Sequence, residues 1–216
     1  FRARALNPEH PVTRGTAQNP DIFFQARESS NSFYNAVPDV VAGYMKEISD
    51  ITGREYKPFN YYGAPDAEKV VVAMGSVTEA LEELIDYLNA KGGKYGMVKV
   101  HLYRPFSAKY FFDVMPKTAK VVTVLDRTKE PGALGEPLYL DVQSLFYTAD
   151  FKPVIVGGRY GLGSKDVTPT SLLPVFENMD AAEPKNGFTV GIVDDVTNLS
   201  LPVKEQIVTE SEGTIR

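Results

Sequence analysis

The sequence predicts an α/β fold: a three-layer αβα arrangement in which helices cover both faces of a mostly parallel sheet of about five strands. Three observations carry that expectation. Val70 to Ala73 and Val121 to Leu125 are apolar, β-branched runs too short for buried helices, and read as strands covered on both faces. Between them Val77, Ala80, Leu81, Leu84, Ile85 and Leu88 fall at the i, i+3, i+4, i+7 spacing of an amphipathic helix. From Lys69 onward strand and helix alternate, the rhythm of βαβ units.

Taken in order, residues 1–19 hold Pro8, Pro11 and Gly15 with little periodicity and read as an extended arm. Asn19, Pro20 and Asp21 then supply an N-cap, a proline at the first helical position and an acid matched to the helix dipole, predicting a helix to about Ala36. Pro38 is expected to break it, and a second helix carrying Val41, Tyr44, Met45, Ile48 and Ile51 on one face ends at Gly53, a left-handed cap. After the strand at Val70, Ser76 and Glu79 stand as a capping box for a helix reaching Gly92. Val98, Val100 and Leu102 begin the next strand, Ser107 caps a short helix ending before Pro116, and Val121 to Leu125 form the third strand. A helix from about Leu134 to Thr148, a strand at Val154 to Val156, and a helix begun by Thr168 and Pro169 but limited or kinked by Pro174 follow. Pro184 to Gly187 reads as a linker, Phe188, Val190 and Ile192 alternate as a strand would, and Lys204 to Arg216 reads as a polar tail. The expected organisation is an extended arm over 1–19, an α/β domain over 20–180, and a linker and tail over 181–216 leading to a following domain.

Composition narrows the function classes. A chain of 216 residues, 43% hydrophobic and 24% charged, can bury a sizeable core, and no apolar run approaches the roughly 20 residues of a bilayer crossing. Zero cysteines remove disulfides, thiolate zinc sites, thiol nucleophiles and cysteine-ligated iron–sulfur clusters together. Lys and Arg total 23 against 28 Asp and Glu, a net charge of −5 without a basic cluster, which disfavours a nucleic-acid surface. The two histidines, His10 and His101, stand too far apart in sequence to suggest a metal or triad site. Phe1 to Leu6 has neither an initiating Met nor the apolar core of a signal peptide, so the chain is expected to be an excised segment.

Function collects at the carboxyl ends of strands in open α/β sheets, and three strand ends carry charge. The first is Leu125 to Ala133, where Asp126, Arg127, Lys129 and Glu130 follow an apolar strand without a gap. It reads either as acid/base machinery or as a turn whose acids balance its bases, and the second is preferred because no nucleophile or metal ligand adjoins it. Arg104, between Tyr103 and Phe106, has the fork to clamp an anionic ligand, but an ion pair with Asp126 or Glu130 of the adjacent strand end is the commoner arrangement. The third is Gly157 to Lys165. Gly158 and Gly163 have phosphate-loop spacing, yet Ser164 and Lys165 stand in reversed order, which misaims both groups. A flexible turn is therefore favoured, with Arg159 and Lys165 facing solvent or another domain. Asp194 and Asp195 read as an exposed turn rather than a cation site, and Asn198-Leu199-Ser200 is a sequon without a secretory signal behind it.

Five stretches, in order, strongly resemble the pyruvate:ferredoxin (flavodoxin) oxidoreductases: Arg14 to Asp21, Tyr61 to Ala64, Leu102 to Phe106, Leu125 to Ala133 with Gly135 to Tyr139, and Gly158 to Leu162. The likeness covers nearly the whole chain. It implies a middle portion of a much longer enzyme, its second domain, similar to the carboxy-terminal domain of transketolases, with the linker into the third. It further implies a cytoplasmic homodimeric parent that decarboxylates pyruvate on thiamine diphosphate and magnesium. Such a parent passes electrons through iron–sulfur clusters to ferredoxin or flavodoxin, and transfers the acetyl group to coenzyme A. No catalytic residue of that family maps onto a position here, and neither cluster cysteines nor a thiamine diphosphate motif is present. Two roles follow from this. One is a noncatalytic segment, binding no cofactor or metal itself, with Arg104, Asp126, Arg127, Lys129 and Glu130 as interface loops toward neighbouring domains of the same polypeptide. The other is a small-ligand module holding coenzyme A or another phosphate near Arg159 and Lys165.

Overall fold

The computed structural model describes residues 5–12, 15, 17–207 and 209, and divides into two compact units, residues 1–37 and 38–216. The Arg14 and Thr16 of the first family-like stretch, and the polar terminus beyond Thr209, lie outside the described residues. In the first unit α1 spans Pro20–Ser29, with Pro20 in the first turn and Asp21 near the positive end of the dipole. Asn19 is extended as an N-cap should be, but its side chain makes no capping bond. The helix stops at Ser30, whose hydroxyl donates to the Arg27 carbonyl at 2.7 Å. α2 then runs Asn31–Thr52, so the expected break at Pro38 is absent: proline withdraws one amide donor, and here the ring is the one buried residue of the helix. Gly53, at φ +71°, ends it as expected.

The second unit is built on a six-stranded sheet in the order β1 (Phe59–Gly63), β3 (Tyr95–Val100), β2 (Lys69–Ala73), β4 (Val121–Asp126), β5 (Val154–Arg159), β6 (Phe188–Thr189). Every neighbouring pair is parallel except β1 and β3. The mostly parallel α/β sheet is as predicted, with one strand more. β1 escapes a sequence reading because Phe-Asn-Tyr-Tyr-Gly has no β-branched residue and serves as an edge, where polar groups are tolerated. β3 also starts earlier than expected, at Tyr95, and β5 continues to Arg159 through Gly157 and Gly158.

Alternation along the strands sorts the core into two layers. Val71, Ala73, Met97, Leu125 and Val156 face α3 (Val77–Asn89) and α6 (Pro169–Asp180), meeting Leu81, Leu84, Ile85, Leu172, Val175 and Phe176. Val70, Val72, Val98, Val122 and Val124 face the other way onto α4 (Ala108–Val114) and α5 (Pro137–Tyr147), meeting Phe111, Leu138, Val142 and Phe146. Edge-to-face rings extend the second layer: Phe59 on Phe111 at 5.7 Å, and Phe112 on Phe146 at 5.4 Å. Helix starts differ from expectation at Ser107, which makes no side-chain capping bond, as at Asn19, and at Ser76. Ser76 takes helical backbone angles and makes no capping bond, because Gly75 at φ +78° makes the turn and the Thr78 hydroxyl donates to the Gly75 carbonyl at 2.9 Å. The capping box is found instead at α6, where Thr168 and Ser171 bond each other's backbone amides. Pro174 lies inside α6, buried, without ending it.

The stretch beyond Asp180 is threaded into the same core. Phe188 is fully buried, Val190 and Leu201 nearly so, and all three join the α3/α6 layer. The Asn178 side chain binds both the amide and the carbonyl of Lys185, and Asn186 accepts from the Gly157 amide at 2.8 Å, so β6 is delivered to β5 by side-chain clamps.

Candidate functional site

Sheet order places a topological switch between β2 and β4. The crossover from β2 through α3 leads to β3 on one side, whereas that from β4 through α5 leads to β5 on the other. Ligands of open α/β sheets gather at the carboxyl ends of strands flanking such a switch. A small cavity of about 190 Å³ lies there, lined by Met74, Gly75, Ser76, Asp126, Arg127, Thr128 and Tyr160. It contains the centre of the charged stretch that the sequence singles out.

Asp126 is only 2% exposed, and its two carboxylate oxygens accept the Leu138 and Tyr139 amides at 3.0 Å each. It therefore closes the open amino-terminal end of α5 from the end of β4. Burial pushes its pKa above the usual carboxylate value and the two amides pull it back, while the charges of Glu136 and Asp141 add to the rise. Arg127 turns outward, and its Nε donates to the Gly161 carbonyl at 2.9 Å, bracing the turn after β5. Tyr160, 5% exposed, closes the floor, its hydroxyl pKa raised by burial. The balanced ion-pair turn expected here does not form. Asp126 is hydrogen-bonded by helix amides and not paired with its neighbours, and Glu130 makes no ion pair among the described residues. Lys129 lies 3.6 Å from Glu136 and donates to the Glu130 carbonyl.

Arg104 does not reach Asp126 or Glu130 either. Its guanidinium bonds Asp141 at 2.7 Å and stacks on the Tyr103 ring at 3.9 Å, because the β3–α4 loop descends beside the second turn of α5. Arg159, expected to face solvent or another domain, is 11% exposed at its side chain; it donates to Glu136 at 3.3 Å and to the Gly187 carbonyl at 2.7 Å. Lys165 is exposed, its stem lying along Gly191. Gly161, Gly163 and Ser164 all take positive φ around a single 3₁₀ turn, and α6 begins only at Pro169, so no helix amino terminus faces the loop as a phosphate loop requires. Asp195 spends its carboxylate on Thr197 and Ser200, and its pKa is lowered chiefly by the Ser200 amide. His101 titrates below the usual imidazole range through burial and the Lys99 charge. Among the described residues no three His, Asp or Glu side chains converge as metal ligands.

Two residues that carry this arrangement are not marked out by the sequence alone. Glu136 is 5% exposed and receives Arg159 and Lys129, and Asp141 receives Arg104. The signal for Glu136 was its place directly before Pro137, the N-cap position of a helix. Glu136 gives a direct test. Arg159→Ala leaves that carboxylate buried with only a distant lysine, and we expect a loss of about 2 kcal/mol in urea unfolding, less than the roughly 3–5 kcal/mol of a fully broken buried pair because Lys129 remains. A loss below about 0.5 kcal/mol, the size of an ordinary surface change, contradicts that role.

The strand-end charges thus tie three loops together: β4 to α5 through Asp126, β4 to the β5 turn through Arg127, and β5 to β6 through Arg159. Such a wound module, its strand ends cross-tied by charged side chains, is an α/β domain with helices on both faces of a mostly parallel sheet. Comparison with known proteins makes the class particular. Residues 67–172 match the family model described as pyruvate:ferredoxin oxidoreductase core domain II. The chain is 60% identical over 215 residues to the pyruvate-flavodoxin oxidoreductase of Enterobacter agglomerans, covering 99% of this chain and 18% of that protein. It is 56% identical over 216 residues to the pyruvate:ferredoxin oxidoreductase of Moorella thermoacetica, covering 100% of this chain and 18% of that protein. The fold is shared with a solved 2-oxoglutarate:ferredoxin oxidoreductase from Magnetococcus marinus that holds 2-oxoglutarate, coenzyme A and succinyl-CoA. There the TM-score is 0.50 at 18% identity, covering 78% of this chain and 25% of that one. The chain belongs to the pyruvate:ferredoxin (flavodoxin) oxidoreductase family, and spans 18% of the length of these curated relatives.

Proposed function

We propose that the chain works as a noncatalytic, interdomain segment of a longer 2-oxoacid oxidoreductase, one that oxidises pyruvate to acetyl-CoA and passes the electrons to ferredoxin or flavodoxin. The observation that carries this is the pairing of near-complete coverage of this chain with 18% coverage of its relatives. The hydrogen bonds of Asp126, Arg127 and Arg159 to backbone groups of neighbouring loops support it, since these groups hold loops and are not left to act on a substrate. Thiamine diphosphate, magnesium, iron–sulfur clusters and coenzyme A belong to the proposed parent. The donor set here does not fit the clusters or magnesium: the chain has no cysteine, and among the described residues no three His, Asp or Glu side chains converge as metal ligands. No chemical step is therefore assigned to these residues. A cytoplasmic homodimeric parent is part of the same proposal, with Arg104, Lys129 and Glu130 presented on the exposed strand-end loops toward neighbouring domains.

Support for the alternative, a coenzyme A or phosphate contact at Arg159 and Lys165, rests on Lys165 alone, because Arg159 is engaged by Glu136 and Gly187. The test is dye reduction by the isolated chain supplied with pyruvate, thiamine diphosphate, magnesium and coenzyme A. No turnover is expected; viologen reduction that scales with the amount of chain would overturn the noncatalytic role. Calorimetric titration of coenzyme A into wild type and Lys165→Ala decides the alternative, and equal heats from both would remove it.

A further inference from the structure

Within the second unit, α2 presents an apolar stripe that its own domain leaves uncovered. Val40, Tyr44, Ile48 and Ile51 are 54%, 62%, 48% and 83% exposed. At about 100° per residue they fall within an arc of about 80°, one side of the helix. That side is not the one turned to the sheet. Ala42 and Ser49 line the groove shared with Tyr56, Pro58, Phe59 and Tyr110, and the Ser49 hydroxyl accepts the Tyr56 amide at 2.9 Å. Asp39 reaches Lys109 at 2.8 Å and Tyr110 at 2.7 Å, anchoring the start of this segment to α4. The helix is thus held to its domain by polar bonds along one flank while four large side chains stand in water on another.

We propose that this stripe is the seat of another domain of the same polypeptide, an apolar surface that buries Tyr44 and Ile51 at its centre. The inference rests on reading the chain as one domain of a longer protein, and two arguments choose the occupant. The relatives carry more than four-fifths of their length outside the matched region, so a tethered partner is available. The stripe exposes roughly 450 Å², in the range of functional patches on single proteins but short of the roughly 800 Å² per side of a stable free complex. A patch of that size suffices when a tether holds the partner at an effective concentration near millimolar, and not when a second copy must associate from dilute solution.

The test uses the full-length polypeptide that contains these residues. Hydroxyl-radical labelling of Tyr44 is measured by mass spectrometry in the native protein and again after unfolding in guanidinium. A docked stripe is expected to label at least fivefold more slowly when native, and Ile51→Glu to restore most of the rate. Native labelling above half the unfolded rate, which the 62% exposure of Tyr44 gives an uncovered helix, overturns the proposal. So does protection that disappears on dilution together with a halving of mass, since the cover would then be a second copy. The scaffold reading fails separately, by turnover of the isolated chain, so an uncovered Tyr44 beside an inactive isolated chain would sink only this inference.

Discussion

Gly158→Val is expected to cost the domain roughly 4 kcal/mol, above the roughly 1–3 kcal/mol usual for overpacking, and to shorten the sheet at one edge. Gly158 lies opposite Leu125 on one side and Phe188 on the other, one residue from the carboxyl end of β5. A Cβ added there collides with the Phe188 ring, which is fully buried and cannot retreat into solvent. Either the ring leaves the core or β6 parts from β5, and each forfeits the burial of a large aromatic, worth about 3–5 kcal/mol on truncation. The cause is separable from any general dislike of valine in the strand by a double-mutant cycle with Phe188→Leu. A smaller side chain opposite should return at least 1 kcal/mol of the loss as coupling, as contacting pairs do. Additive losses, measured by urea denaturation, would show that the collision is relieved elsewhere. The same cycle reports whether residues beyond Asp180 are integral to the domain, because a dispensable tail would let Phe188 swing out at little cost.

How much of this was legible in the sequence depends on where the information resides. Val70 to Ala73 and Val121 to Leu125 could be read directly, since a strand covered on both faces has no choice but to be apolar throughout. β1 could not, because its place is set by register with β3, Tyr61 opposite Val98, and not by its own composition. Pro38 misled for the converse reason: local propensity argues for a break, and the burial of the ring within a 22-residue helix overrides it. At the strand ends the sequence located the charged cluster but mispaired it. Asp126 lies beside Arg127 in the chain, yet its partners are amides twelve and thirteen residues on, brought to it by the return of α5. Arg159 likewise found Glu136, 23 residues earlier, because parallel strands bring their carboxyl ends together while the chain between them is long. Charge pairing across a wound sheet is a property of topology, and sequence proximity is a poor guide to it.

Asp126→Ala should cost about 3 kcal/mol, because it leaves two buried amides of α5 without acceptors and opens a space at the floor of the crevice. Asp126→Asn keeps the shape and one acceptor, but its amide nitrogen meets a donor, so an intermediate loss of about 1–2 kcal/mol is expected. The pH dependence gives the sharper test. Burial raises the folded pKa of this carboxyl above its ordinary value of 3.8, so over the window just above that value the folded state holds the proton more tightly than the unfolded chain. Stability contributed by Asp126 is therefore greatest at low pH and declines as pH rises through the folded pKa, opposite in sign to a carboxylate paired with a base. Since asparagine does not titrate, the gap between wild type and Asp126→Asn should be widest at acid pH and narrow toward neutrality. Urea titrations of both proteins across that range decide the matter. A gap that widens with pH would mean the two helix amides outweigh burial, placing Asp126 as a stabilising anion at the amino terminus of α5.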